Sequence, residues 1–226
     1  MEITYYGHSC FLVIIENKKI LFDPFITPNS LAGDIEVSSI KPDYIFLTHG
    51  HNDHVADVEM IYRNSKAMIV ANYEVAVWFE KKGLENYHPL NHGGKKKFDF
   101  GTVKMVNAVH SSSMPDASYG GNPAGFVFET SAKTFYFAGD TALHMDMKLI
   151  AEDYKLDFAF LPIGDNFTMD IKDALKAADF VQVNTIIGMH YDTFPYIEID
   201  HDEVKKIARE KNKNLILLQV GKSITL

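Results

Sequence analysis

Cysteine occurs once, at Cys10, which excludes an intramolecular disulfide and any metal site built from thiolates alone. It falls within Cys10-Phe11-Leu12-Val13-Ile14-Ile15, where a small core residue fits better than a nucleophile, because nothing nearby would lower its pKa. Basic charge is also scarce. Lys and Arg number 22 against 30 Asp and Glu, a net charge of −8, which argues against broad binding to a phosphate backbone. The one basic run, Lys95-Lys96-Lys97, follows Gly93-Gly94 and reads as a solvated hairpin or loop. No apolar run reaches the ~20 residues that a membrane helix needs, and Met1 to Tyr6 read as a strand rather than a secretory leader. The expected compartment is therefore the cytoplasm, with no membrane partner. Repeats, low-complexity tracts and linkers are absent too, so residues 1–226 are expected to form a single domain.

Histidine, by contrast, is concentrated. Thr48-His49-Gly50-His51-Asn52-Asp53-His54 places three imidazoles and a carboxylate within six consecutive residues. The run before it, Asp43 to Thr48, is short, aromatic and β-branched, and reads as a buried strand ending where the histidines begin. His49 and His51 are two apart, so in an extended loop their rings can converge on one cation. Asp53 and His54 follow at a helix start whose apolar face is Val55, Val58, Ile61 and Tyr62, and they point to a second position close by. Imidazole and carboxylate ligands without thiolate suit zinc, with manganese, iron or nickel as alternatives. Two ions roughly 3.5–4 Å apart could use all four side chains if further ligands arrive from elsewhere in the chain.

Strand-like segments over 2–6, 10–16 and 19–23 read as a meander whose first clear turn is Glu16-Asn17-Lys18. A strand over 67–71 follows, then a helix from Tyr73 to Lys82, with Asn72 as its N-cap and Gly83 closing it. Residues 103–109, 125–130, 134–138, 157–161 and 185–189 read as strands. Helices are expected over 171–182 and around Val204, Ile207 and Ala208, with closing strands over 215–219 and 223–226. A β-rich first half and a second half that again mixes strand and helix suggest two sheets face to face with helices outside, an α/β (α+β) fold of four-layer αββα type. Three of the strands end in a lone His or Asp: His110, Asp140 and His190.

His49-x-His51-x-Asp53-His54 followed by His110, Asp140 and His190, in that order, resembles the metallo-β-lactamase superfamily over almost the whole chain. The resemblance implies the same αββα sandwich and a dinuclear site. It assigns His49, His51 and His110 to one metal and Asp53, His54 and His190 to the other, with Asp140 bridging. Tyr6 to Cys10, Leu21 to Pro24, Gly120 to Phe126 and Leu161 to Met169 are similar to the small metal-dependent hydrolase branch that includes ascorbate-6-phosphate lactonase. Flavodiiron oxidoreductases carry Glu where this chain has His51, and the tRNA-processing branch needs an RNA-gripping arm that is missing here.

The function implied is hydrolysis of a small ester, lactone or phosphodiester by a metal-activated hydroxide, with Asp53 orienting the nucleophile. The alternatives are a nuclease on short nucleic acids, disfavoured by the charge, and a non-catalytic metal or ligand sensor. Asp23 is expected to hold a ligand imidazole. His8 is expected either to face substrate or to be a buried, hydrogen-bonded histidine. Asp165 is expected to line the site or to accept from a ligand histidine. The Gly- and Pro-rich loop 119–125 reads as a backbone wall beside a ligand or as a connector. The partner expected is a small-molecule substrate, with self-association into a homo-oligomer left open.

Overall fold

The computed structural model describes residues 1–226. Its first half runs β1 (Glu2–Gly7), β2 (Cys10–Ile15), β3 (Lys18–Phe22), β4 (Tyr44–Phe46), α1 (Asn52–Val55), α2 (Val58–Ser65), β5 (Met68–Asn72), α3 (Tyr73–Glu80) and β6 (Tyr87–Leu90). The second half runs β7 (Lys95–Phe98), β8 (Gly101–Asn107), β9 (Ala124–Glu129), β10 (Thr134–Phe137), α4 (Met147–Asp153), β11 (Phe158–Pro162), α5 (Ile171–Phe180), β12 (Thr185–Met189), α6 (His201–Glu210), β13 (Asn214–Ile216) and β14 (Ser223–Thr225).

The strands form two seven-stranded sheets, ordered β14-β1-β2-β3-β4-β5-β6 and β13-β12-β11-β10-β9-β8-β7. Each sheet is antiparallel over four strands and parallel over the rest. In the first, β14 to β3 pair antiparallel, and β3 to β6 pair parallel. In the second, β7 to β10 are antiparallel and β10 to β13 parallel. Parallel neighbours require crossovers, and the helices supply them on the outer faces.

Phenylalanine joins the sheets. Phe11 of β2 meets Phe160 of β11 at 4.8 Å, Phe22 of β3 meets Phe137 of β10 at 4.2 Å, and Phe46 of β4 meets Phe128 of β9 at 4.9 Å. All six side chains are fully buried. Outside the first sheet, Val58 and Ile61 of α2 and Val75 and Phe79 of α3 pack over Ile45 and Ile69. Outside the second sheet, Ile150, Ala174, Leu175 and Val204 extend the central core through α4, α5 and α6. The αββα layering read from the pattern is therefore the observed fold.

Local departures have physical causes. The helix expected from Asp53 onward breaks into α1 and α2 because the backbone leaves helical geometry at Asp57, φ −100° and ψ 3°. The Asp57 carboxylate is buried there and accepts the N–H groups of Ile26 at 2.6 Å and Thr27 at 2.9 Å, bonds that hold the loop after β3. Strand β6 goes unpredicted because it contains Pro89, which an edge strand tolerates. Helix α4 also goes unpredicted, and its Asp146 makes no side-chain cap bond. No helix is long and apolar enough to cross a membrane.

Candidate metal centre

Every candidate ligand sits on a connection at one end of the two sheets. Thr48 and His49 leave β4, His110 follows β8, Asp140 follows β10 and His190 follows β12. Backbone bonds fix these exits: Leu47 N–H donates to Val70 at 2.9 Å, Ala124 N–H to Thr48 at 2.9 Å, and His190 N–H to His8 at 2.9 Å. Three non-glycine residues here have left-handed backbones, His8 (φ 56°), Asp23 (φ 41°) and His190 (φ 56°). Such strain persists where the surroundings impose it, and it concentrates at functional sites.

Asp23 sets the proton positions of two imidazoles. Its Oδ1 accepts the Thr48 N–H at 2.8 Å, and its Oδ2 accepts the Thr48 hydroxyl at 2.7 Å. The hydroxyl's single proton is thus committed, so Thr48 Oγ1, 3.0 Å from His49 Nδ1, accepts a hydrogen bond from that ring's Nδ1–H. His49 Nε2 is left as a lone pair. His54 Nδ1 lies 2.8 Å from Asp23 Oδ2, which leaves His54 Nε2 facing the centre. Burial raises the Asp23 carboxyl, while His54 and the Thr48 donors pull it back.

The free nitrogens converge. His49, His51 and His110 form one group whose donor atoms lie within 4.8 Å of one another, and His8, Asp53, His54 and His190 form another. His49 Nε2 is 2.9 Å from His51 Nδ1. Asp140 lies between the groups, with Oδ2 at 3.6 Å from His110 Nε2, 3.3 Å from His54 Nε2 and 2.9 Å from His190 Nε2. Its Oδ1 and His54 Nε2 are buried without any hydrogen-bond partner. Two buried electron-pair donors left without a partner, inside a cage of imidazoles, are what a cationic ligand would satisfy. The donor set of nitrogen and carboxylate oxygen therefore fits a divalent transition metal.

Electrostatics point the same way. Burial lowers the His54 imidazole, but the carboxylates of Asp140, Asp23 and Asp53 outweigh it and raise the ring well above its ordinary value. Carboxylates that favour a proton there favour a metal cation equally. Burial pushes His49 well below the ordinary imidazole value, so its lone pair stays free. Burial raises Asp53, yet His54 and His8 prevail and hold it below the usual carboxylate range.

The match to the Beta-lactamase superfamily domain extends over residues 18–191, which contains every candidate ligand except His8. The chain belongs to the beta-lactamase superfamily. It is a metal-dependent hydrolase: a UPF0173 metal-dependent hydrolase of Flavobacterium johnsoniae is 55% identical to it over 226 residues, covering 100% of both chains. The relative YtkL of Bacillus subtilis, of the same description, is 48% identical over 205 residues, 88% of this chain and 89% of its own. Among solved structures, Igni18, described as a novel metallo hydrolase from Ignicoccus hospitalis, superposes with a TM-score of 0.89 at 33% identity, over 100% of this chain and 97% of its own.

In this superfamily member, His8 takes the second of its two expected places, that of a buried, hydrogen-bonded histidine, and Asp165 takes neither of its own. His8 is fully buried and does not line the cavity. Its Nε2 donates to Asp53 Oδ2 at 3.1 Å, and its Nδ1 is 3.0 Å from Thr193 Oγ1, so it braces Asp53 instead of touching substrate. Asp165 is exposed on a turn, at φ 60°, and reaches no histidine. That turn contributes Phe167 to the site instead. The loop 119–125 is a connector: Asn72 Nδ2 donates to the carbonyls of Gly120 at 2.8 Å and Asn122 at 3.0 Å.

A cavity of about 480 Å³ opens over the cluster. Asp53, Asp140 and His190 lie at its floor, Ser111 stands beside His51, and Phe167, Phe194, Pro195 and Tyr196 form one wall. The wall residues went unread in the sequence, although Phe194-Pro195-Tyr196, so soon after His190, was the available signal.

Proposed function

We propose that this hydrolase is dinuclear and acts on a small ester, lactone or phosphodiester. His49, His51 and His110 would hold one ion, Asp53, His54 and His190 the other, and Asp140 both. Zinc is the ion the donor set suits best, with manganese, iron or nickel as alternatives. When bound, divalent cations at such a site would lower the pKa of water towards neutrality and polarise an acyl or phosphoryl oxygen.

The protein's own groups supply the order that this chemistry requires. Asp53, fixed by His8, presents its remaining carboxylate oxygen at the cavity floor and orients the attacking water. Asp23 keeps His49 and His54 in the tautomers whose Nε2 atoms face inward. The aromatic wall excludes bulk water from one side. A small molecule, in place of a nucleic acid or a membrane, is the partner that suits the cavity volume and the charge of −8. We place the protein in the cytoplasm, since its one cysteine is buried and needs no oxidative pairing.

The observation that carries the reading is the position of Asp140 Oδ2 within 3.6 Å of imidazoles from both groups. Metal analysis of the purified protein should give close to two ions per chain, and His51→Ala or Asp53→Ala should abolish hydrolysis. Variants that kept full metal content and full turnover would refute the mechanism.

A further inference from the structure

We propose that the substrate is uncharged away from its reacting group and carries a planar apolar arm seated against Phe167 and Tyr196; the inference rests on the hydrolytic reading above. Phe167 comes from the connection between β11 and α5, and Tyr196 from the connection between β12 and α6. Two independent segments thus deliver rings to one cavity mouth. Their centroids are 6.1 Å apart and their planes 70° apart, an edge-to-face pair. Phe167 is 49% exposed and Tyr196 74% exposed. Aromatic surface left open at the rim of a catalytic cavity marks a binding surface more than a core.

The wall is built in advance. Asp192 anchors the second loop: its carboxylate accepts the Ile199 N–H at 3.1 Å and meets His201 Nε2 at 2.6 Å. Its own N–H donates to Ile197 at 2.8 Å. Phe194, deeper in the same loop, packs edge-on to His8 at 5.4 Å and lies 6.1 Å from Phe25. A ligand arm would meet a braced surface with little left to order.

The charge of the cavity completes the argument. Its lining includes no Lys and no Arg, and its carboxylates are Asp53 and Asp140. A phosphate or carboxylate on the distal arm would leave water for an aromatic wall without gaining a cationic partner, which is unfavourable. A neutral aryl or similarly flat group gains contact there. Neutral esters and lactones fit both ends of the cavity. In their hydrolysis the water oxygen bonds to the acyl carbon, the acyl C–O bond breaks, and one proton passes to the leaving alkoxide, giving a carboxylic acid and an alcohol.

The test uses the metal-loaded protein and three lactones: γ-butyrolactone, its γ-phenyl derivative, and a derivative with a phosphate-ester arm. Binding of γ-phenyl-γ-butyrolactam and of γ-butyrolactam is measured by calorimetry in parallel, since lactams resist hydrolysis and report binding alone. The phenyl compounds should be favoured in both kcat/KM and affinity by roughly tenfold. Phe167→Ala and Tyr196→Ala should each erase most of that preference, in lactam affinity as in kcat/KM, while leaving metal content unchanged. Equal affinity for the two lactams, a preference that survives both substitutions, or a preference for the phosphate-bearing lactone would overturn the proposal. Selective lactam binding without hydrolysis of any lactone would support the aromatic subsite and refute the lactone as substrate class.

Discussion

Asp140 Oδ2 and His190 Nε2 meet at 2.9 Å although they follow β10 and β12, strands that are not neighbours but flank β11. The contact spans two strand spacings at the sheet's end, and its second carboxylate oxygen, Oδ1, is buried without a partner. Asp140→Asn keeps the shape and removes the charge. Metal content should then fall at both positions, and turnover should drop by more than the 10–100-fold typical of groups that only support a ligand. Elemental analysis and a rate measurement on the same preparation check this. An Asn variant that retained two ions per chain would show that Asp140 bridges nothing.

Asp23 acts through two imidazoles at once, directly on His54 and through the Thr48 hydroxyl on His49. Asp23→Asn replaces one acceptor oxygen by an NH2 donor: in the place of Oδ2 it removes the acceptor behind both imidazoles, and in the place of Oδ1 it opposes the Thr48 N–H. Metal affinity, measured by competition with a chelator, should weaken about 10–100-fold, with the far-ultraviolet circular dichroism of the metal-free protein unchanged. Unaltered affinity would show that the tautomers are set by other contacts.

Much of this was legible before any coordinates. The apolar run of β2 and the strand-then-ligand pattern at His110, Asp140 and His190 depend on local sequence, and the layers and the clustering follow from them. His8 and Asp165 were harder, because both stand at strand ends beside glycine and differ only in what the far chain brings to them. His8 is covered by Phe25, Phe194 and Thr193, whereas Asp165 is left in solvent. The break at Asp57 likewise depends on donors from Ile26 and Thr27, some 30 residues away. The pairing of Phe167 with Tyr196 is invisible to any local pattern, since neither ring has a periodic partner.

Gly164 offers a test of how rigidly His190 is held. A Cβ at this position would lie 2.1 Å from the His190 carbonyl oxygen and 3.0 Å from Ile197 Cβ. Gly164→Ala must displace the backbone of a candidate ligand, and should cost roughly 1–3 kcal/mol of stability together with weaker metal binding. Gly83→Ala is the control: a Cβ there meets nothing within 4 Å, although its φ of +82° carries strain. It should reduce stability modestly and leave metal affinity alone. Equal metal affinity in both variants would mean that the β11 exit does not position His190.

His8 gives the metal-free protein a defined pH dependence. Burial, and then the neighbouring His190, lower its imidazole from 6.5 to about 4. Between those values the unfolded chain binds a proton that the native state refuses, and stability falls with falling pH wherever the unfolded state binds more protons. The His8 contribution is therefore fully present above pH 6.5 and is lost as pH falls towards 4. His49, also lowered by burial, acts in the same direction, whereas the raised His54 acts in the opposite sense, its contribution being lost as pH rises above 6.5. His8→Gln isolates the first of these, because Gln cannot titrate. Across pH 7 to 4, chemical unfolding of metal-free wild type should lose roughly 3 kcal/mol relative to the variant, with a constant offset above pH 7 from the lost bond to Asp53. Two curves that stay parallel down to pH 4 would mean that His8 takes up its proton in the folded state, and that its burial against Asp53 and Thr193 is looser than the contacts of 3.1 and 3.0 Å indicate.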